Sequence, residues 1–150
     1  MTLISESSRM KSELLVDTNM LIYSVDSDSK YYIRSRRLLY ESEYELFTTS
    51  KNCAEFLSSV TRTDPPMPLR KALSYVREFQ ASMKILYPSK VSSLHFDLLL
   101  EKYKPMGLKI HDYEIAAIGL AHNVTQIATL NVRDFKAIEE ITIVGFETET

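Results

Sequence analysis

Apolar and polar positions along the chain fall into short blocks of two alternating kinds. Leu14, Leu15 and Val16 form an apolar run closed by Asp17, the pattern of a strand buried on both faces of a parallel sheet. Thr18 and Asn19 can cap a helix whose apolar positions are Met20, Leu21, Ile22 and Val25. Asp26 to Ser29 breaks the pattern, and a helical stretch follows from Tyr31 to Tyr40, with Ile33, Leu38 and Leu39 among Arg34, Arg36 and Arg37. Glu45 to Thr49 reads as a second strand. Ser50 is placed to cap the next helix, which carries Ala54, Phe56, Leu57 and Val60 until Asp64-Pro65-Pro66-Met67-Pro68 stops it. Helical stretches over 69–83 and 89–103 flank a short apolar piece, Ile85-Leu86-Tyr87. Ile110-His111-Asp112 leads into a helix with Ile115, Ala116, Ile118, Gly119 and Leu120 on its buried side. Gln126 to Leu130 is a strand, 133–138 a turn and short helix, and 141–144 a last strand. Strands alternating with helices predict an α/β fold, a parallel sheet with helices on both faces.

Length and composition narrow this only a little. The 150 residues suit one domain with a real core, here 13–150, behind a polar leader over 1–12 that reads as a flexible tail. Met10 stands just before the first structured segment and is an alternative start. A net charge of −2 does not advertise a nucleic-acid binder, yet bound cations would offset clustered carboxylates. The single cysteine, Cys53, excludes a disulfide within the chain and suits a reducing compartment. The leader lacks a signal-peptide apolar region, and no apolar run approaches the ~20 residues that span a bilayer, so the expectation is a cytoplasmic protein with no membrane partner.

The chemistry is expected beyond the carboxyl ends of the strands, where parallel α/β sheets bind ligands. Asp17 ends the first strand. Asn131 and Asp134 follow the 126–130 strand, Asp112 opens a helix facing the same edge, and Glu55 lies about one turn into the helix after the second strand. Two carboxylates ~4 Å apart repel by about 4 kcal/mol at an effective dielectric of ~20. Such a cluster persists if a cation sits in it or if some of the acids are protonated. Hard divalent cations with oxygen ligands, Mg²⁺ or Mn²⁺, are the natural occupants.

Four segments carry a resemblance. Leu15-Val16-Asp17-Thr18-Asn19 resembles the opening motif of the PIN domain family, and Thr129-Leu130-Asn131-Val132-Arg133-Asp134-Phe135 its closing motif. Ser50 to Glu55 is similar to the family's serine-then-glutamate helix, and His111-Asp112-Tyr113-Glu114-Ile115-Ala116-Ala117 to its Asp-x-x-Ile-Ala-Ala segment. Each motif alone is weak; four in order over about 13–146 are specific. The resemblance, closest to the VapC-type toxins, implies a three-layer α/β/α sandwich with a central parallel sheet. It also implies a Mg²⁺- or Mn²⁺-dependent endoribonuclease that cuts RNA phosphodiesters with a metal-activated water. It implies a cognate antitoxin protein and a homodimer as well. Carried over, Asp17, Glu55, Asp112 and Asp134 are the catalytic and metal-holding acids, with Thr18, Asn19, Asn131 and Arg133 as supporting or substrate-contacting residues. Toxin-like members have more Gly before the last motif, where this chain has Asn123; Asn tolerates the left-handed backbone that Gly would supply.

Each residue also has a plainer reading. Asp17, Asp112 and Asp134 could be helix caps, each stabilising by about 1 kcal/mol. Glu55 could be a solvated helix residue, although beside Ala54 and Phe56 an unpaired carboxylate would be costly. Glu114 should point away from Asp112. His95, His111 and His122 match no zinc spacing, with His111 alone near enough to reach substrate. Most basic residues, in clusters such as Lys30, Arg34, Arg36 and Arg37, read as solvated faces, and Arg133 is the best candidate for a phosphate contact. A catalytically inactive RNA- or protein-binding module is the alternative. A phosphoaspartyl phosphatase would need a second Asp where Asn19 stands, and a nucleotide-binding loop needs more than 3 Gly.

Overall fold

A computed structural model describes residues 11–144. The tail expected over 1–12 lies outside the described residues except for 11 and 12, as does the end of the domain beyond 144. The order of elements is β1 (Glu13–Val16), α1 (Thr18–Tyr23), α2 (Tyr32–Glu41), β2 (Glu45–Thr49), α3 (Ser50–Thr61), α4 (Leu69–Ser82), β3 (Lys84–Leu86), α5 (Lys90–Tyr103), α6 (Lys109–Ala121), β4 (Gln126–Ala128), α7 (Val132–Phe135) and β5 (Thr142–Val144). All strand pairs are parallel, in the order β3-β2-β1-β4-β5. The apolar piece after α4 is thus an edge strand, with Ile85 opposite Thr48 on β2.

The period-two rule for strands explains the three layers. On β1, Leu14 and Val16 face one way, into a core built with α1, α2, α3 and α4. Leu15 faces the other way, into a core with α5 and α6. Leu46 and Phe47 on β2 divide between the same two cores, as do Ala128 and Ile127 on β4. Within the first core Cys53, Phe56 and Val60 recur at helical spacing on α3 and meet Ala72, Val76 and Phe79 of α4. The Phe56 and Phe79 rings pack edge to face with centroids 5.1 Å apart.

Some local expectations shift. The cap of α3 is Thr49, not Ser50. Its hydroxyl accepts from the Asn52 N–H while the Asn52 side chain accepts from the Thr49 N–H. Helix α6 starts at Lys109, so Asp112 sits inside its first turn and caps nothing. Strand β4 ends at Ala128, two residues short of the expected Leu130. Asn123 does adopt a positive φ of 61°, where the chain turns from α6 toward β4.

That turn is tight enough to constrain Gly119. A Cβ at Gly119 would stand 2.9 Å from the Val124 carbonyl oxygen and 3.3 Å from Leu15 Cδ2. Gly119→Ala is therefore expected to destabilise by about 1–3 kcal/mol by overpacking, despite Ala's better helix propensity. Urea unfolding reads this directly, and a variant as stable as the parent would show that the turn yields.

Candidate active site

The strand order reverses at β1: β2 and β3 lie on one side of it, β4 and β5 on the other. Reversal leaves a crevice at the carboxyl ends of the central strands. Asp17 stands there, one residue past β1 and N-cap to α1, accepting from the Thr18 N–H at 2.9 Å. The plain capping role and the candidate site role thus coincide in one residue. Helix α3 leaves β2 at the same edge and brings Glu55, α6 brings Asp112, and α7 after β4 brings Asp134.

Asp17 is only 4% exposed. Its Oδ1 also accepts from Asn52 Nδ2 at 3.3 Å, and its Oδ2 from the Thr129 hydroxyl at 2.7 Å and Asn19 Nδ2 at 3.5 Å. Burial, the largest effect, raises the Asp17 pKa; hydrogen bonds from Thr129 and Thr18 oppose this, and Glu55 adds to it. Thr18 hands the network on: its hydroxyl donates to Glu55 Oε1 at 2.6 Å and accepts from Asn52 Nδ2 at 2.9 Å. Asn19 ties α1 to the loop after β4, with Oδ1 accepting from the Leu130 N–H at 3.3 Å. Thr18 and Asn19 thus each hydrogen-bond one of these acids.

The apolar surroundings expected for Glu55 are not there. Both Ala54 and Glu55 are exposed, so α3 does not bury the carboxylate among apolar groups. It is fixed by the Thr18 hydroxyl instead. Asp112 is half-buried. Its pKa is raised to about 7, chiefly by burial and then by the charges of Asp134, Asp17 and Glu55, with Lys109 opposing weakly. All four acids thus share one electrostatic field.

Asn131 and Arg133 are exposed at the rim, beside α7. The Asn131 side chain makes no capping bond, while its N–H donates to the Thr129 hydroxyl at 2.9 Å. Glu114, expected to point to solvent, is half-buried and pairs with Lys51 at 3.1 Å. Lys51, Glu55, His111 and Ile115 line a recess of about 250 Å³ beside the acids. Cys53 is buried, and burial pushes its thiol pKa up, so it is no nucleophile.

Two supporting residues escaped the sequence reading. Asn52 is fully buried at the start of α3 and bridges Asp17 and Thr18; Thr129 is 2% exposed and donates to Asp17. The only signal was a polar residue at an apolar-periodic position. Asn52→Ala would leave Asp17 and Thr18 each short of a donor and the Thr49 N–H without its acceptor, so it is expected to cost about 2–4 kcal/mol in urea unfolding. A loss below about 1 kcal/mol would mean that water replaces these bonds.

Can these residues hold a divalent cation? The donors are all oxygens, the chemistry that Mg²⁺ and Mn²⁺ prefer. Among the described residues no three acid, His or Cys side chains stand gathered as a ready cage for an ion. Mg²⁺ needs no such cage, since it keeps several waters and takes one or two carboxylates. Burial is the main cause of the raised Asp112 pKa, and the charges of Asp134, Asp17 and Glu55, which a cation would neutralise, add to it. The set fits.

A PIN domain family model matches residues 14–141. The chain belongs to the PIN domain family. Solved PIN structures share its fold at low identity. VapBC2 of Rickettsia felis bound to a promoter DNA fragment matches with a TM-score of 0.65 and 19% identity, over 88% of this chain and 97% of that one. DNA-bound VapBC of Salmonella typhimurium matches at 0.65 and 23%, over 90% and 98%. The sarcin-ricin loop cleaving toxin VapC20 of Mycobacterium tuberculosis matches at 0.65 and 10%, over 83% and 94%. No curated protein matches the sequence. The PIN fold accounts for the acids' shared edge: this sheet order sets β1, β2 and β4 side by side with their carboxyl ends together.

Proposed function

We propose that this PIN domain is a Mg²⁺- or Mn²⁺-dependent endoribonuclease, the toxin of a toxin–antitoxin pair, acting in the cytoplasm as a homodimer. The observation that carries the chemistry is Asp112: burial and three neighbouring acids push its pKa to about 7. Four acids in one field are unfavourable without a cation. The partner reading is supported by the likeness to VapBC complexes and to a toxin–antitoxin complex from Klebsiella pneumoniae, and the substrate reading by the likeness to a sarcin-ricin loop cleaving toxin. Among the described residues no helix is long and apolar enough to cross a membrane.

In this reading Asp17, Glu55, Asp112 and Asp134 hold the cation. Bound there, it would acidify a water and steady the charge on a phosphate undergoing attack. Asp17 is pre-set by four donors and Glu55 by the Thr18 hydroxyl, so neither must reorganise to bind. Asp112 exchanges its proton near neutral pH. Arg133, exposed at the rim, can meet a phosphate, and Asn131 can donate beside it.

The test is direct. Single-stranded RNA incubated with purified protein should be cut with Mg²⁺ or Mn²⁺ and left intact with chelator. Cutting that persists in chelator overturns the metal-dependent reading. RNA that stays whole with either cation supports the inactive binding module instead.

A further inference from the structure

Helices α3 and α6 pack on opposite faces of the sheet, α3 in the first core and α6 in the second. They reach one another across its carboxyl edge, where Lys51 of α3 pairs with Glu114 of α6 at 3.1 Å. Beside that pair lies the recess of about 250 Å³ lined by Lys51, Glu55, His111 and Ile115. Lys51 and Glu55 stand one turn apart on α3, and His111 and Ile115 one turn apart on α6. Each helix thus gives the recess one wall. The walls are mostly apolar; Ile115 is buried, and His111 is exposed.

Place and shape together say what would fill the recess. Glu55 belongs both to this lining and to the four acids, so the recess adjoins the point at which a phosphate would be attacked. In RNA the groups joined to that phosphate are a ribose and, through it, a base. A ribose is rich in hydroxyls and gains little from apolar walls. A base has two flat π-faces and a polar edge. At about 250 Å³ the recess is smaller than the ~300–1,000 Å³ pockets that enclose drug-sized ligands. It has room for one base and not for a base pair. Imidazole is one of the rings on which unpaired bases stack, and an ammonium donates to the acceptors on a base edge.

We propose that the recess receives one unpaired nucleobase, from a nucleotide joined to the scissile phosphate, stacked on His111 with Lys51 at its edge. A base held in a duplex must first be flipped out to enter, so the recess makes the enzyme selective for RNA that is unpaired at the cut. This rests on the ribonuclease of the proposed function for its substrate, and its own mark is stacking at position 111.

The chain has no Trp, so His111→Trp places a single fluorescent reporter on the wall. On rapid mixing with Mg²⁺ and a short single-stranded RNA, its emission should be quenched before any strand is cut. The same strand annealed to its complement should need about tenfold more RNA for equal quenching. His111→Ala should lower kcat/KM for single-stranded RNA about tenfold, and His111→Trp should restore it, because any aromatic face serves a stack. RNA abasic at one nucleotide flanking the cut should be about tenfold poorer for the parent, while His111→Ala should cut it as well as it cuts intact RNA. Emission indifferent to RNA overturns the proposal. So does a His111→Ala variant that cuts like the parent, or an abasic penalty of equal size in both. Quenching in a protein that cuts nothing keeps the recess and loses the nuclease. Cutting with unquenched emission keeps the nuclease and loses the recess.

Discussion

Asp17→Asn is expected to abolish metal-dependent RNA cleavage, by about 10²- to 10³-fold or more, without unfolding the protein. The size follows from the several kcal/mol of charge stabilisation that a cation supplies to phosphoryl transfer, at 1.36 kcal/mol per factor of ten. The fold should survive because the anion is not what holds it together. Burial raises the Asp17 pKa despite the hydrogen bonds from Thr129, Thr18 and Asn52, so the charged form is disfavoured at that position. Asn keeps the shape, one acceptor and the capping bond while removing the buried charge. Without divalent cation the variant should therefore melt no lower than the parent at pH 8. Added Mn²⁺ should raise the parent's melting temperature, because a ligand that binds only the folded state stabilises it, and should leave the variant's unchanged. Equal cleavage by parent and variant would remove Asp17 from the site. An equal thermal response to Mn²⁺ would place the cation elsewhere.

The second expectation concerns pH. The Asp112 carboxyl has a folded-state pKa of about 7 against an ordinary value of 3.8. Between those values the folded protein holds a proton that the unfolded chain has released. Stability without cation should therefore fall as pH rises from about 4 to about 7 and then level off. Asp112 is only half-buried, so solvent screening tempers the effect, and a change of a few degrees in melting temperature is the scale to expect. Asp112→Asn should flatten this dependence and make the cation-free protein more stable than the parent at pH 8. Divalent cation should flatten it in the parent as well, by binding the ionised form in place of the proton. Cleavage at limiting cation should rise with pH toward 7, and its midpoint should move down as cation is added. If the melting temperature of parent and variant follows pH identically, Asp112 does not carry the raised pKa.

Much of this was legible along the chain because strands and helices impose different periods. Leu14 to Val16 is apolar on consecutive positions, which only a strand covered on both faces needs, and the structure divides those side chains between two cores. The Ile115 to Gly119 stretch is buried at nearly every position, as the inner helix of such a layer must be. Asn123 was legible through its tolerance of positive φ. Glu55 was legible from its place one turn into the helix after the second strand, but not the burial expected from Ala54 and Phe56: the residue is exposed, and a hydroxyl 37 residues earlier holds it. Ser50 lost the cap of α3 to Thr49 because the last strand residue, not the first helical one, has the extended backbone that a cap requires. Asn52 and Thr129 went unremarked, since a polar residue beside an apolar run has many uses and their bonds to Asp17 span 35 and 112 positions.

The amino-acid sequence by itself determined the alternation of elements, the two-sided burial of the central strand and the acids at the ends of those elements. These follow from local period, capping and chain direction, which neighbouring residues set. Only the tertiary structure decided that β1 lies between β2 and β4, and so that Asp17, Glu55, Asp112 and Asp134 share one field. It also decided that Asn52 and Thr129 steady Asp17, and that a recess between α3 and α6 opens beside the acids. Those depend on which strands pair and which faces remain uncovered, and pairing joins segments up to about a hundred residues apart, beyond the reach of any local pattern.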